Sequence, residues 1–328
     1  MKSDLEVESA VCAVCMTSES EPVYTVIEHE YPDTTDYEFH IHRCSTCGLW
    51  FLNPRPASSE LSTIYPPNYF AFSLAEKGVE AQRLNGKRIS DVFEASRIKR
   101  VLEKYLNRVP KSVLDVGCGD GTDLDLFRKS FGDGLQTCGI EPSESAAKLA
   151  INRGHQVEIG MFPGLYFRKG RFDVIWSKHV IEHVASPREF LVASRDLLHE
   201  DGIIVLDTPN ADSPLRRLFG KHWGGWHTPR HWYLFDPATI TLLAQQCGLS
   251  VVKIYQMPIQ TFWIWGLHSL LFQRHRSFAD RYFNPSTVAT SGGITLALLI
   301  LFQTCELVGK AMFGKTSQMR IVLRHAEG

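Results

Sequence analysis

Between Val113 and Gly121 the chain reads VLDVGCGDG, an apolar run that passes straight into three glycines at every second position. The run has the length and composition of a buried strand. The glycines permit a tight turn and a close backbone approach, and from Thr122 onward the apolar residues return with helical spacing. A strand that feeds a helix through such a turn is half of a parallel crossover unit, so the chain has to supply further strands beside it.

It does so at regular intervals. Strand-like runs follow at Ser112–Val116, Gln136–Ile140, Gln156–Ile159, Phe172–Trp176, Ile203–Asp207, Ser250–Tyr255 and Met319–Arg324, with helical patterns between them. This predicts an α/β fold, a doubly wound and mostly parallel sheet of seven strands. A helix over about Ile89 to Leu106 leads into it. The expected organisation is a small module over residues 1–56, a linker over 57–87 and the sheet domain over 88–328, with a helical insertion at 259–315 before the last strand. The step Asn53-Pro54-Arg55-Pro56 closes the first module, and Tyr65-Pro66-Pro67-Asn68-Tyr69-Phe70 forms a stiff aromatic connector.

The glycine turn places free backbone N–H groups of a helix N-terminus next to any ligand. Twenty residues after Gly121, Gly139-Ile140-Glu141 ends the second strand with a carboxylate that can accept both hydroxyls of a ribose. Spacing alone leaves a dinucleotide open. The ordered series VLDVGCGDG, GIEPS, FDVIWS and GIIVLDTPN over about residues 88–256 resembles the class I S-adenosylmethionine (SAM) dependent methyltransferases, with their Rossmann-like fold. The resemblance implies that Asp115, Gly117 and Gly119 line the amino-acid end of SAM, that Glu141 holds its ribose and that Ser177 borders the methyl donor. Such enzymes often carry an aspartate after the third strand, where this chain has Gly160-Met161-Phe162. Apolar packing and backbone groups are expected to hold the adenine instead.

Ligands of doubly wound sheets bind beyond the carboxyl ends of the strands, which selects Ser177 to His183 and Thr208 to Asn210. The first of these segments is read as turning into a helix with His179 and His183 on one face and Glu182 beside them. The histidine- and aromatic-rich stretch Trp226 to Phe235 follows the fifth strand and can fold over the donor. It resembles a region of ubiquinone-pathway O-methyltransferases and small-RNA 2′-O-methyltransferases, in which a Glu-x-x-Glu-His segment and a later histidine hold a divalent metal. His179 stands here in the first glutamate position, so the resemblance implies Glu182, His183 and His231 as ligands of Mg or Mn, with His179 as a conservative exchange of ligand type at the fourth position. Without a metal, His231, His227 or His179 is the candidate general base. The bland alternative is that Glu182 and His183 merely fix the loop.

Cys12-x2-Cys15 and Cys44-x2-Cys47 have the spacing of a structural zinc ribbon, a closed site of four thiolates. Eight cysteines in 328 residues are too few for a disulfide scaffold. Residues 1–60 hold 11 Asp/Glu against 3 Lys/Arg, a balance that repels phosphate, and the net charge of -1 gives no sign of a nucleic-acid partner. A zinc ribbon ahead of a SAM domain resembles methyltransferases of bacterial cell-surface polysaccharide and glycolipid pathways. That implies a saccharide or lipid-linked acceptor, with O-methylation of a polyprenylated ring as an alternative. From another class, the chain could be a zinc- and SAM-binding scaffold without turnover.

The opening MKSDLEVESA has no secretory pattern, so a cytoplasmic location is expected. The longest apolar run, Ile294 to Phe302, is about half of a membrane span. The insertion nevertheless carries Trp263 and Trp265 ahead of Arg274-His275-Arg276, and residues 251–328 hold 8 Lys/Arg against 3 Asp/Glu. Two expectations stand for the insertion: a peripheral contact with the inner face of the membrane, with the tryptophans at the lipid boundary, or packing of both helices on the domain or in a dimer interface. Oligomeric state is not readable.

Overall fold

The computed structural model describes residues 5–69, 89–164, 171–284 and 293–326. Of the expected linker, residues 70–87, including Phe70, lie outside the described residues, as do 285–292 of the insertion. Near the N-terminus come β1 (Val7–Glu8), β2 (Ser20–Val26), β3 (Phe39–Cys44), β4 (Trp50–Leu52), β5 (Arg55–Pro56) and the single-turn helix α1 (Leu61–Ile64). The helix α2 (Ile89–Tyr105) then leads to β6 (Ser112–Val116), α3 (Thr122–Phe131), β7 (Gln136–Glu141), α4 (Glu144–Asn152), β8 (Gln156–Ile159) and β9 (Phe172–Lys178). After these follow α5 (Pro187–Leu197), β10 (Leu198–Pro209), α6 (Pro214–Phe219), β11 (Tyr233–Leu234), α7 (Pro237–Gln246) and β12 (Leu249–Met257). The chain closes with α8 (Thr261–Tyr282), α9 (Gly293–Phe313) and β13 (Gln318–His325).

The seven expected strands form one sheet in the order β12-β13-β10-β9-β6-β7-β8. β9, β6, β7, β8 and β10 pair in parallel, and β13 is antiparallel to both of its neighbours. Every residue of β6 is buried, as a central parallel strand covered by helices on both faces requires. Order reverses at β6, where successive crossovers leave in opposite directions, and the resulting crevice opens above the glycine turn.

The N-terminal strands do not form a free-standing body. β11, from the loop after β10, adds to β4 as an antiparallel edge, pairing Tyr233 with Phe51 and Leu234 with Trp50. All three residues of β4 are buried, so the added strand satisfies an edge that water cannot reach. The apolar core runs continuously from Phe39, Ile41 and Phe51 through Trp226 and Trp232 to Leu206 and Ile321.

A buried ion pair joins the same two regions. Arg230 has no exposed surface, and its guanidinium pairs with the Glu28 carboxylate, donates from Nε to the Ile64 carbonyl at 2.7 Å and lies over the Tyr31 ring. Glu28 is held in turn by the backbone N–H groups of Glu30 and Tyr31 at 2.7 and 3.0 Å.

The structure corrects two sequence expectations. No helix forms over His179 to His183: His179 sits in the left-handed region at φ 54°, turns follow, and α5 begins at Pro187 where the Ser186 hydroxyl caps the Glu189 N–H. The insertion is helical, but its tryptophans face inward rather than toward lipid. Trp265 is buried and stacks on the His227 ring at 4.9 Å. Trp263 stacks on Phe302 at 5.6 Å and donates to Glu306. Among the described residues no helix is long and apolar enough to cross a membrane.

Glu28→Ala is expected to lower the unfolding free energy by about 3–5 kcal/mol, because it leaves the buried Arg230 charge without its directly paired carboxylate. Urea denaturation of the two proteins measures the difference; a loss below about 1 kcal/mol would show that the pair does not anchor this loop.

Candidate active site

One cavity of about 1140 Å³ runs over the carboxyl ends of the central strands. At one end lie Gly117, Gly119 and Glu141, with Gly160, Met161 and Phe162 beside them; at the other lie His179, His183, His227, His231, Tyr65 and Tyr69. Ile259, Phe262 and Trp265 from the start of the insertion close the second end.

At the first end the backbone does most of the shaping. Gly117 has φ +78°, and a Cβ there would stand 2.5 Å from Val180, so no other residue fits without displacing the opposite wall. The Gly119 N–H donates to Glu141 Oε2 at 3.0 Å and the Ser143 N–H to Oε1 at 2.8 Å. These bonds fix the carboxylate at the mouth of the crevice, while burial pushes its pKa up. Asp115 and Ser177 are placed differently from the other expected cofactor residues. Both are buried behind the cavity wall, where the Ser177 hydroxyl donates to the Val116 carbonyl at 3.1 Å and burial holds the Asp115 carboxyl well above its ordinary pKa. Gly160, Met161 and Phe162 do line the cavity, at the point where an aspartate was missing from the sequence pattern.

The second end is a histidine cluster in which Glu182 is central and without exposure. Its Oε1 lies 3.1 Å from His179 Nδ1, and its Oε2 accepts from the Thr208 hydroxyl at 3.1 Å. His183 Nδ1 lies 3.0 Å from the Arg230 carbonyl and 2.9 Å from the Tyr65 hydroxyl, and His231 Nδ1 lies 2.7 Å from the Gly225 carbonyl. A proton on each Nδ1 satisfies these carbonyls, which leaves Nε2 of both rings as a free acceptor. Ligand atoms of Glu182, His183 and His231 all lie within 4.8 Å of one another, so these three residues could hold a metal ion.

Burial dominates the titration of this cluster. It holds the His183 imidazole down at about 4, against the pull of Glu182. His231 and His227 fall well below the ordinary value, by burial first and then by the neighbouring histidines for His231 and by Arg230 for His227. His179 goes the other way: burial opposes its charge, but the hydrogen bond and charge of Glu182 outweigh it and raise the pKa.

Residues that the sequence did not single out complete this end. Glu30 lies 2.7 Å from His227 Nδ1, with both groups buried, and the Tyr69 hydroxyl lies 3.2 Å from His227 Nε2. Local pattern gives no sign of these contacts, since 197 residues separate Glu30 from His227. The surplus of acid in the N-terminal segment, set against the Arg230 region, was the available signal.

The four cysteines converge as their spacing implied. Sγ atoms of Cys12, Cys15, Cys44 and Cys47 lie within 4.8 Å of one another, and all four are free of disulfides. Burial alone would raise the Cys44 thiol, but N–H groups of Cys47 and Thr46 bring it down to about 7.

Strand order, glycine turn and terminal carboxylate together define a class I methyltransferase. A family model described as Methyltransferase domain matches residues 88–254, and the chain belongs to that family. Among curated relatives, a Streptomyces fradiae protein described as an uncharacterized 37.1 kDa protein in transposon TN4556 is 32% identical over 125 residues, 36% of each chain. The tRNA U34 carboxymethyltransferase of Aeromonas hydrophila is 30% identical over 171 residues, covering 47% of this chain and 49% of that one. The ubiquinone biosynthesis O-methyltransferase of Thiobacillus denitrificans is 30% identical over 160 residues, 45% of this chain and 68% of that one. The chain thus spans about half or less of the length of the first two. Among solved structures, a SAM-dependent methyltransferase from Archaeoglobus fulgidus aligns with a TM-score of 0.45 at 16% identity, over 75% of this chain and 98% of that one.

SAM or its demethylated product is expected to raise the unfolding free energy by about 2.7 kcal/mol at a hundredfold excess over its dissociation constant. Glu141→Ala should remove most of that gain. Wild-type affinity in the variant, read by isothermal titration, would place the cofactor elsewhere.

Proposed function

We propose that the enzyme transfers a methyl group from SAM to a hydroxyl of an acceptor with an apolar body, either a lipid-linked saccharide or a polyprenylated ring. The observation that carries this reading is the continuity of the cavity, from the glycine turn and Glu141 to the histidine cluster, with Phe262, Trp265, Tyr65 and Tyr69 around the second end. Gly117, Gly119 and Glu141 hold the amino-acid and ribose portions of SAM, and Met161 and Phe162 pack on the adenine. The acceptor oxygen attacks the methyl carbon as the carbon–sulfur bond breaks, and the hydroxyl proton must leave to a base. Because the sulfonium is already activated, alignment and proton removal are what the protein has to supply. The raised basicity of His179, with Glu182 on its Nδ1, favours it as the proton acceptor. The apolar walls favour a ring or lipid-linked acceptor over a free sugar, and the likeness to an enzyme named for ubiquinone biosynthesis supports the ring alternative.

The donor set also fits a divalent metal. Two neutral imidazoles, each with its Nδ1 satisfied by a backbone carbonyl, converge with a buried carboxylate, the arrangement that orients first ligands through a second layer of hydrogen bonds. Glu182, His183 and His231 would hold Mg or Mn, which when bound lowers the pKa of a substrate hydroxyl. At the N-terminus, four thiols within mutual reach fit a closed tetrahedral zinc site, whose role is structural.

His179→Ala, which removes the proposed base, is expected to lower turnover by about 10²–10⁴ while leaving SAM affinity within about twofold, because the residue sits at the acceptor end. The assay uses labelled SAM with lipid and glycan extracts as acceptors. Activity lost in EDTA and restored by magnesium or manganese selects the metal version. SAM binding with no transfer to any extract would favour the non-catalytic scaffold.

One zinc per chain is expected by elemental analysis, and Cys44→Ser should lose both the metal and folded protein, since a structural site supplies folding energy directly. Freshly purified protein without zinc would defeat this assignment.

A further inference from the structure

α9 is amphipathic the wrong way round for a helix that faces water. Its polar groups point at the protein: Glu306 accepts from the Ser317 hydroxyl at 2.6 Å and from the Trp263 indole at 3.1 Å, Gln303 reaches the Pro258 carbonyl and Lys310 the Gln256 carbonyl. Phe302 is buried against Trp263 on the same side. The outer face carries Ile300, Leu301, Leu307, Val308 and Met312, each half or more exposed, and Phe313 is exposed at the C-terminal end. Thr304 on that face turns its hydroxyl back to the Ile300 carbonyl. A surface helix ordinarily shows the reverse arrangement, and a contiguous apolar stripe of this kind marks a contact with something apolar.

We infer that the outer stripe of α9 docks the enzyme on a lipid bilayer, with the helix lying in the plane of the headgroups. Two further observations favour lipid over a second copy of the chain. The stripe is about 20 Å long on a helix about 10 Å wide, so it offers a second copy a few hundred Å², short of the roughly 800 Å² per partner of a stable pair. The preceding α8, which breaks at His275 (φ -139°, ψ 50°), carries exposed Leu270 before the break and Phe278 after it, together with exposed Arg274, Arg276 and Arg281, of which Arg276 also pairs with Asp280 at 3.6 Å; these cations complement anionic headgroups. These residues replace Trp263 and Trp265 as the lipid-facing set.

The placement also links the surface to the cavity. On α8, Phe262 and Trp265 wall the acceptor end, while the intervening Trp263 carries α9. A lipid surface would thus lie one helix away from the acceptor site. Delivery of a lipid-linked acceptor rests on the functional reading given above, whereas docking does not.

The test is flotation of the full chain with vesicles of phosphatidylglycerol and phosphatidylcholine, and with phosphatidylcholine alone. Wild type should float with the anionic vesicles, and the double variant Leu301→Glu, Val308→Glu should float roughly tenfold less while keeping the SAM-induced thermal shift that reports an intact fold. Leu301→Asn with Val308→Asn replaces it if the glutamates cost that shift, with the same loss of flotation expected. Wild type that stays in the dense fractions, or variants that float as wild type does, would overturn the inference. So would a wild-type dimer in light scattering that the double variant splits, without vesicle binding. Because flotation needs no acceptor, failure of the methyl-transfer reading would leave this result standing.

Discussion

A fully buried guanidinium dictates how the rest of this molecule is arranged. Arg230 is out of reach of water, so the chain has to bring a carboxylate and a carbonyl to it, and it draws them from the N-terminal segment: Glu28, the Ile64 carbonyl and the faces of Tyr31 and Tyr69. Such a pair gains little net stability over an apolar filling, since removing two charges from water offsets most of their attraction. Its effect is specification. Once Arg230 is fixed, His227 and His231 on either side of it have one place to go. The backbone follows, with the Trp232 N–H donating to the Glu182 carbonyl at 2.8 Å and the Leu52 N–H to the Trp232 carbonyl at 2.9 Å. One loop thereby connects the edge strand, the histidine cluster and the turn after β9.

A second charge network supports the cluster from below. Asp207 and Arg320, both nearly without exposure, pair at 2.7 Å across β10 and β13. Lys178, at the end of β9, is shared between Asp123 at 2.8 Å and Glu94 at 3.3 Å. The His179 N–H donates to the Asp207 carbonyl at 2.8 Å, so the strand ends and the left-handed turn at His179 are set together. Glu182 can then remain ionised inside the protein because His179 lies against it.

Periodicity made the sheet legible. Each of the seven strands was announced by a strand-like run, and Gly117, Gly119 and Glu141 by their spacing after β6. These are local properties, carried by residues a few positions apart. The histidine end of the cavity is not local. Glu28, Glu30 and Tyr69 read in sequence as solvated acid and connector, and only the pairing of β11 with β4 brings them to Arg230 and His227. The helix expected at His179 failed for a local reason that spacing does not encode, a left-handed residue directly after a strand. The tryptophans of the insertion misled because aromatic residues beside arginines look alike whether they fill a cavity wall or meet lipid.

The matched region and its flanks contribute different parts of the cavity. Residues 88–254 supply the glycine turn, Glu141 and all four histidines. The side chains that enclose the histidine end, Leu61, Tyr65, Pro67 and Tyr69 before that region and Ile259, Phe262 and Trp265 after it, lie outside the matched residues. On the proposed reading, the residues assigned to donor binding and proton handling lie within the matched region, whereas the shape of the second end of the cavity is set by flanking segments that pack on it through Arg230 and α8. Discrimination between acceptors comes from the pocket that surrounds them. The identity of the acceptor thus has to be sought in these flanks, and relatives aligned over less than half of the chain cannot carry it across.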